Sequence, residues 1–331
     1  MTSQKIVVFC NANETEGMGH FYRCLYYSRF LKSPHNNICF YGNFNGLAQV
    51  AIKNYGFQSK IADSSDLINC TSNIDWLLVD TYLFTQREIN ELASKYKTIF
   101  IDDFGSRDYT EAYAVINFTI NATNYSYNSK YKLLGPKYFP YKEEFLSVRE
   151  KNLKRRRPLR KAENQILILF SSTSLDKNKI KSFIKAIDSF YTDGLITLVL
   201  NQQIGDVVLQ NNQFAHYQKV EKMEQLYQEA TLLFSGGGLV KYEAAFCAIP
   251  NFSFAINQLQ QAETIQLAEC HLTMDIGTYY DFHLENSIKK IRQFHQSIFA
   301  EELFYKRSEK YFQPGDLKAS LTSLLEDNYG Y

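Results

Sequence analysis

Residues 76–102 read WLLVDTYLFTQREINELASKYKTIFID. A short apolar run, Trp76–Asp80, is followed by Gln86–Tyr96, whose apolar residues fall at helical spacing, and then by a second apolar run, Thr98–Asp102. Two buried strands joined through a helix are a right-handed βαβ unit, which requires a parallel sheet covered on both faces. Working outward, Lys5–Cys10, Ile38–Tyr41 and Ala114–Asn117 read as further strands, with helices at Phe21–Leu31 and Gly46–Tyr55. The first third of the chain is therefore expected to be a doubly wound α/β domain.

The alternation stops at Arg149–Lys161, REKNLKRRRPLRK, and then restarts. Gln165–Phe170, Ile196–Leu200, Thr231–Ser235 and Asn251–Ala255 read as strands; Asp176–Phe190, Met223–Ala230, Val240–Phe246 and Gln260–Cys270 read as helices. The basic run lies where a domain boundary is expected, which favours a solvated linker over a nucleic-acid or membrane patch. The division predicted is 1–148, an N-terminal α/β domain; 149–161, a basic linker; and 162–331, a C-terminal α/β domain ending in helices. Open parallel sheets bind ligands at the carboxyl ends of their strands, so a cleft lined by both sheets is expected to hold the site.

Composition narrows the function classes. The 331 residues carry 36 Lys+Arg against 35 Asp+Glu, a net charge of +1 that supplies no global field for nucleic acid or anionic membrane. No apolar segment approaches the length of a membrane span, and the short apolar run at the start meets Asn11, Asn13 and Glu16 with no small-residue cleavage site. The expected location is the cytoplasm. Six cysteines are scattered without a CxxC pair, which disfavours a zinc site or a disulfide framework. Aromatics are 15% of the chain while Gly (15) and Pro (6) are scarce, so a cluster of glycines points to a backbone requirement.

Glycines concentrate in two places. After the first strand, Gly17 and Gly19 open a helix beside His20, whose imidazole can accept a proton near neutral pH. After a strand of the second half, Gly236, Gly237 and Gly238 precede another helix, an arrangement suited to phosphate oxygens against bare backbone N–H groups. Glu243, one turn into that helix, is placed to accept from a ribose diol or to sit on the surface. Asp80, Tyr82, Asp102 and Asp103 fall at strand ends, where they either meet a substrate or cap the next turn; Asn117 and Asn121 carry the same ambiguity.

The chain resembles a known family over residues 5 to 275. GMGHxxR (Gly17–Arg23), DTY (Asp80–Tyr82), IDD (Ile101–Asp103), GPKYFPYKEEF (Gly135–Phe145) and SGGGxxxYEAAFCAIPNFSFAINQ (Ser235–Gln258) look like the PseG-type UDP-sugar hydrolases of pseudaminic acid biosynthesis. The likeness extends, more distantly, to GT-B nucleotide-sugar glycosyltransferases such as MurG. It implies a GT-B-like fold, two doubly wound parallel-sheet domains facing a central cleft. It implies His20 as base for the attacking water, with Asp80 and Tyr82 beside it in the sugar pocket. Gly17, Gly19, Arg23, Asp103, Asn117, Tyr138, Lys142, Asn257 and Gln258 are implied substrate contacts. Ser171, Ser172, Gly236, Gly237, Gly238 and Glu243 are implied nucleotide contacts. Two departures stand out: Ser171–Ser174 replaces a Gly-Gly-Thr-Asp run, and Lys142 stands where many members carry Arg, losing the bidentate fork.

The expected reaction is hydrolysis of a UDP-linked deoxy amino sugar, water attacking the anomeric carbon with inversion and UDP leaving. No metal and no cofactor is expected, and no nucleic-acid partner or membrane insertion. A glycosyltransferase, in which an acceptor hydroxyl replaces water, is the alternative, and a non-catalytic nucleotide-sugar binder on the same fold is a third reading.

Overall fold

The computed structural model describes residues 4–13, 16–155, 165–170, 175–279 and 284–326. The chain forms two units, one built from 1–142 with 312–331 and the other from 143–311.

In the first unit the order is β1 (Gln4–Cys10), α1 (Gly19–Leu31), β2 (Asn36–Tyr41), α2 (Gly46–Asn54), β3 (Gln58–Lys60), α3 (Ser64–Ile68), β4 (Trp76–Asp80), α4 (Gln86–Lys95), β5 (Lys97–Ile101), β6 (Ala114–Asn117) and β7 (Tyr131–Leu134). The seven strands pair in the order β3-β2-β1-β4-β5-β6-β7, every pair parallel. The chain order reverses direction between β1 and β4, so their carboxyl ends stand side by side at the switch point where such sheets bind ligands. Val7, Phe9, Leu77, Val79, Phe100 and Val115 pack with Leu67 of α3 and with Ile89 and Leu92 of α4. The alternate residues Ile6, Val8, Trp76 and Leu78 are buried too. Both faces of the sheet are therefore covered, which is why these strands read as continuous apolar runs.

The second unit runs α5 (Glu144–Arg155), β8 (Gln165–Phe170), α6 (Lys177–Phe190), β9 (Leu195–Leu200), β10 (Gln213–Tyr217), α7 (Met223–Glu229), β11 (Leu232–Gly236), α8 (Val240–Phe246), β12 (Asn251–Ala255), α9 (Gln258–Glu269), β13 (Met274–Thr278), α10 (Leu284–Gln296) and α11 (Ile298–Tyr311). Its six strands, all parallel, take the order β10-β9-β8-β11-β12-β13. Much of the aromatic surplus is core: the Phe183 ring meets Phe234 at 5.2 Å and Phe254 at 5.1 Å, and Phe234 stacks on Phe252.

Two segments are arranged differently from the sequence expectation. The first half of the basic run, Arg149–Arg155, continues α5 instead of forming a linker. Arg149 is buried, its guanidinium donating to the Phe246 carbonyl at 2.5 Å and to Ser308 Oγ at 2.8 Å, while Asn152 donates to the Cys247 carbonyl at 2.9 Å. Carbonyls at the end of α8 thereby gain donors, a use of arginine that a charge count does not reveal. Residues 156–161 lie outside the described residues. The last helix, α12 (Pro314–Leu325), belongs to the first unit, where it packs against α1. Its Leu317, Leu321, Leu324 and Leu325 are buried.

All six cysteines are free thiols. No helix among the described residues is long and apolar enough to cross a membrane.

Candidate active site

Register brings the first cluster together. Cys10 at the end of β1 pairs with Asp80 at the end of β4, and α1 opens at Gly19, which places His20 in the first turn of that helix. The approach to α1 is held at three points. Gly17 takes a φ of +70°, a region that favours glycine, and its N–H donates to the Asn13 carbonyl at 2.9 Å. The Glu16 carboxylate accepts from the Asn11 amide and from the Thr81 hydroxyl, the latter at 2.9 Å, so the loop after β1 is tied to the residue after β4.

His20 Nδ1 lies 2.5 Å from Asp80 Oδ1. Arg23, one turn further along α1, donates from Nε to Asp80 Oδ2 at 2.8 Å and from a terminal nitrogen to Oδ1 at 2.7 Å. Its other terminal nitrogen donates to both oxygens of Asp103, at 2.8 and 2.6 Å. The Tyr82 hydroxyl donates to the same Asp103 carboxylate, and the Tyr82 ring meets His20 edge-on with centroids 4.5 Å apart. Asp80 is fully buried and His20 is 8% exposed.

Burial pushes the Asp80 carboxyl up, but the Arg23 guanidinium and the His20 ring outweigh it, and Asp80 ends below the ordinary carboxylate range. Burial works against the charge on Arg23 as well, yet Asp103 and Asp80 hold its proton well above the usual guanidinium value. Burial and then the Asp103 charge raise the Tyr82 phenol, which stays a neutral donor. His20 Nδ1 lies between two partners, the Asp80 carboxylate at 2.5 Å, which only accepts when ionised, and an Arg23 terminal nitrogen at 2.9 Å. A neutral ring with its hydrogen on Nδ1 would leave the lone pair on Nε2, the arrangement of an imidazole oriented to take a proton.

The structure thus joins His20, Arg23, Asp80, Tyr82 and Asp103. Arg23 and Asp103, expected to touch substrate, meet each other here: every nitrogen of the guanidinium donates to a carboxylate of the cluster. Asn117 also departs from expectation. It is fully buried, its amide N–H donating to the Tyr127 hydroxyl at 2.7 Å and its oxygen accepting from the Thr119 N–H and hydroxyl at 2.9 and 2.6 Å. Beside it Asp102 accepts from Tyr109, Tyr127 and the Phe104 and Gly105 N–H groups, organising the loop after β5. Tyr138 is buried near α1, where its carbonyl accepts from the Tyr27 hydroxyl at 2.9 Å; Lys142 is half-buried at the limit of the first unit. Gly19 begins α1 with open space where a Cβ would stand.

In the second unit, Gly236 ends β11, and Gly237 and Gly238 lead into α8. A Cβ on Gly237 would meet Gln260 Cβ and the Phe254 carbonyl at 3.0 Å, so that position is glycine for packing; a Cβ on Gly238 would meet nothing within 4 Å. Glu243 accepts from the Tyr227 hydroxyl at 2.7 Å. Asn257 and Gln258 are exposed at the start of α9, with Asn257 Oδ1 capping the helix through the Gln260 N–H at 2.9 Å. Ser171 and Ser172 lie outside the described residues. Sequence reasoning missed Glu16, Thr81 and the buried Lys241. Their signal was position alone: Thr81 directly follows an apolar strand, Glu16 lies shortly before the helix that follows β1, and Lys241 is a lone cation in the helix after the glycine run. No group of three or more His, Cys, Asp or Glu able to hold a metal ion occurs among the described residues.

No family model matches the chain. It is 26% identical over 279 residues, 78% of its length, to an uncharacterized protein of Methanocaldococcus jannaschii, and the match covers 57% of that protein. The chain thus spans little more than half the length of this curated relative. Among solved structures, it is similar to Acinetobacter baumannii MurG (13% identity, TM-score 0.67, 98% of this chain and 99% of that one). It is similar also to the UDP-GlcNAc 2-epimerase of Neisseria meningitidis bound to UDP-GlcNAc (11%, TM-score 0.65, 98% and 100%). A third is LpCGTa in complex with UDP (11%, TM-score 0.68, all of both chains). These likenesses are of fold: two units of parallel strands flanked by helices, the GT-B architecture.

Proposed function

We propose that this protein hydrolyses a UDP-activated sugar, a deoxy amino sugar of the kind used to build pseudaminic-type acids. The observation that carries the reading is the His20–Asp80 contact at the switch point of the first sheet. Asp80 fixes the Nδ1–H tautomer and stabilises the imidazolium that forms; Nε2 removes a proton from water as its oxygen attacks the anomeric carbon. The C–O bond to the β-phosphate breaks on the opposite face, the anomeric centre inverts, and UDP departs with the electron pair. Gly236–Gly238 is assigned to the diphosphate and Glu243 to the ribose; backbone N–H groups suit phosphate oxygens, and Gly238 leaves room for them.

Transfer to an acceptor hydroxyl is the second reading, favoured by the fold shared with MurG and LpCGTa. The same imidazole would deprotonate that hydroxyl. Incubation with a panel of sugar nucleotides and no acceptor separates the two: release of UDP and of free sugar with inverted anomeric configuration by NMR supports hydrolysis. UDP release that depends strictly on an added acceptor favours transfer, and UDP binding without turnover on any of the panel would remove both.

A further inference from the structure

Two aromatic rings stand just beyond the ends of the adjacent strands β4 and β5 without being core. Tyr82 is 41% exposed and Phe104 is 36% exposed, and their ring centroids lie 5.2 Å apart. The Tyr82 ring also meets His20 edge-on, so the apolar surface runs up to the imidazole. Leu83, next in the chain, is 61% exposed. A single exposed apolar side chain needs no explanation, whereas a contiguous pair beside a polar cluster marks a surface with an occupant.

Both rings are mounted on fixed backbone. The Phe104 and Gly105 N–H groups donate to Asp102 Oδ2 at 3.0 and 2.6 Å, and Gly105 lies so close to Tyr125 that a Cβ there would come within 2.5 Å of the ring. From the same loop Arg107 donates to the Tyr82 carbonyl at 2.6 Å and to the Thr81 carbonyl at 3.3 Å, which ties the loop after β5 to the turn after β4. The polar groups around the rings are already engaged. Asp103 Oδ1 accepts from Arg23, and its Oδ2 accepts from Arg23 and Tyr82. Asp102 Oδ1 accepts from Tyr109, and its Oδ2 accepts from Tyr127 as well as the two N–H groups. A ligand hydroxyl laid on the Tyr82–Phe104 surface would give up water beside carboxylates that are already bonded, whereas a methyl group would gain apolar contact.

We infer that Phe104 is a specificity-determining residue, which with Tyr82 forms an apolar wall that selects a sugar carrying methyl instead of hydroxymethyl on its ring. The inference rests on the reading of the His20 cluster as the sugar site. The wall abuts the imidazole through Tyr82, so its occupant is the sugar presented to His20. Ligand sites combine such apolar walls with a few placed polar groups, and here the polar groups are those of the His20 cluster. A purely apolar surface rejects an added hydroxyl by at most about 10²-fold, which bounds the effect.

The test uses the full chain carrying His20→Ala, which is expected to bind sugar nucleotides without turning them over, and reads affinity by calorimetry. The ligands are matched pairs of UDP-linked amino sugars that differ only in carrying methyl or hydroxymethyl on the ring. UDP-N-acetylglucosamine and the counterpart whose hydroxymethyl is a methyl make the first pair, with UDP alone as the control. The methyl member is expected to bind about tenfold or more tighter. Adding Phe104→Ser is expected to bring the two members to within about twofold of each other with UDP affinity kept, an outcome that a merely destabilised fold would not give. Phe104→Leu, which keeps an apolar surface, is expected to retain most of the preference. Equal affinity for both members of every pair, or a preference that Phe104→Ser leaves unchanged, overturns the inference and leaves the proposed function standing. Loss of self-association in Phe104→Ser, read by sedimentation, with the preference unchanged would give the wall to a second copy of the chain and overturns the inference too. Absence of binding to UDP and to every UDP-sugar overturns the proposed function, and the inference with it.

Discussion

At Asp80 one buried carboxylate receives Arg23 on both oxygens and the His20 ring on one. Removing a partner from such a cluster strands a charge out of water, so Arg23→Met is expected to cost about 3–5 kcal/mol, read by urea unfolding. A substrate contact of the same exposure would change affinity and leave stability alone. His20→Ala is expected to lower turnover by about 10²–10⁴-fold with UDP affinity nearly unchanged, and turnover at the wild-type rate would remove His20 from the mechanism. The acid side follows from Asp80. Its folded value lies below the ordinary one, so its stabilisation is complete above about pH 4, the unfolded value, and is lost as pH falls through the folded value. Stability measured against pH should therefore fall below about pH 4, and less steeply in Asp80→Asn. The places of His20 at a helix start and of Asp80 at a strand end were legible from the motifs. That Arg23 and Asp103 serve each other was not, because two residues 80 positions apart meet only through the order of β1, β4 and β5.

Among the elements, β1, β2, β4, β5, β6, β8, β9, β11 and β12 were legible as apolar runs. The strands that escaped were β3, β7, β10 and β13, which are the outer strands of the two sheets. An edge strand is paired on one side and partly wetted, so it carries residues such as Gln58-Ser59-Lys60, all exposed, and has no apolar signature to read. Helix starts were clearer where a side chain caps them. The α4 start is a capping box, Thr85 accepting from the Glu88 N–H and Glu88 from the Thr85 N–H, and it fixes the chain as it leaves the Asp80–Tyr82 turn. Thr85→Ala is expected to cost about 1 kcal/mol, visible as a fall of a few degrees in Tm, with the His20 cluster unaltered.

For the whole molecule the two sheets were anticipated, and the partition of the chain between units differs from the expected contiguous halves. A stretch read only as helical does not name its partner; four buried leucines of α12 fit the first unit because α1 offers them a surface. Leu321→Ala is expected to cost about 2–5 kcal/mol, and chemical unfolding that tracks a probe in the first unit, such as Trp76 fluorescence, should register it. The return of α12 also orders events in time. During synthesis the ribosome delivers all of residues 143–311 before the helix that covers α1 emerges, so the second unit can complete its core while the first still exposes apolar surface. The unit bearing His20 is then the last to mature, although its strands are made first, and chains arrested before Pro314 should engage chaperones through that uncovered face.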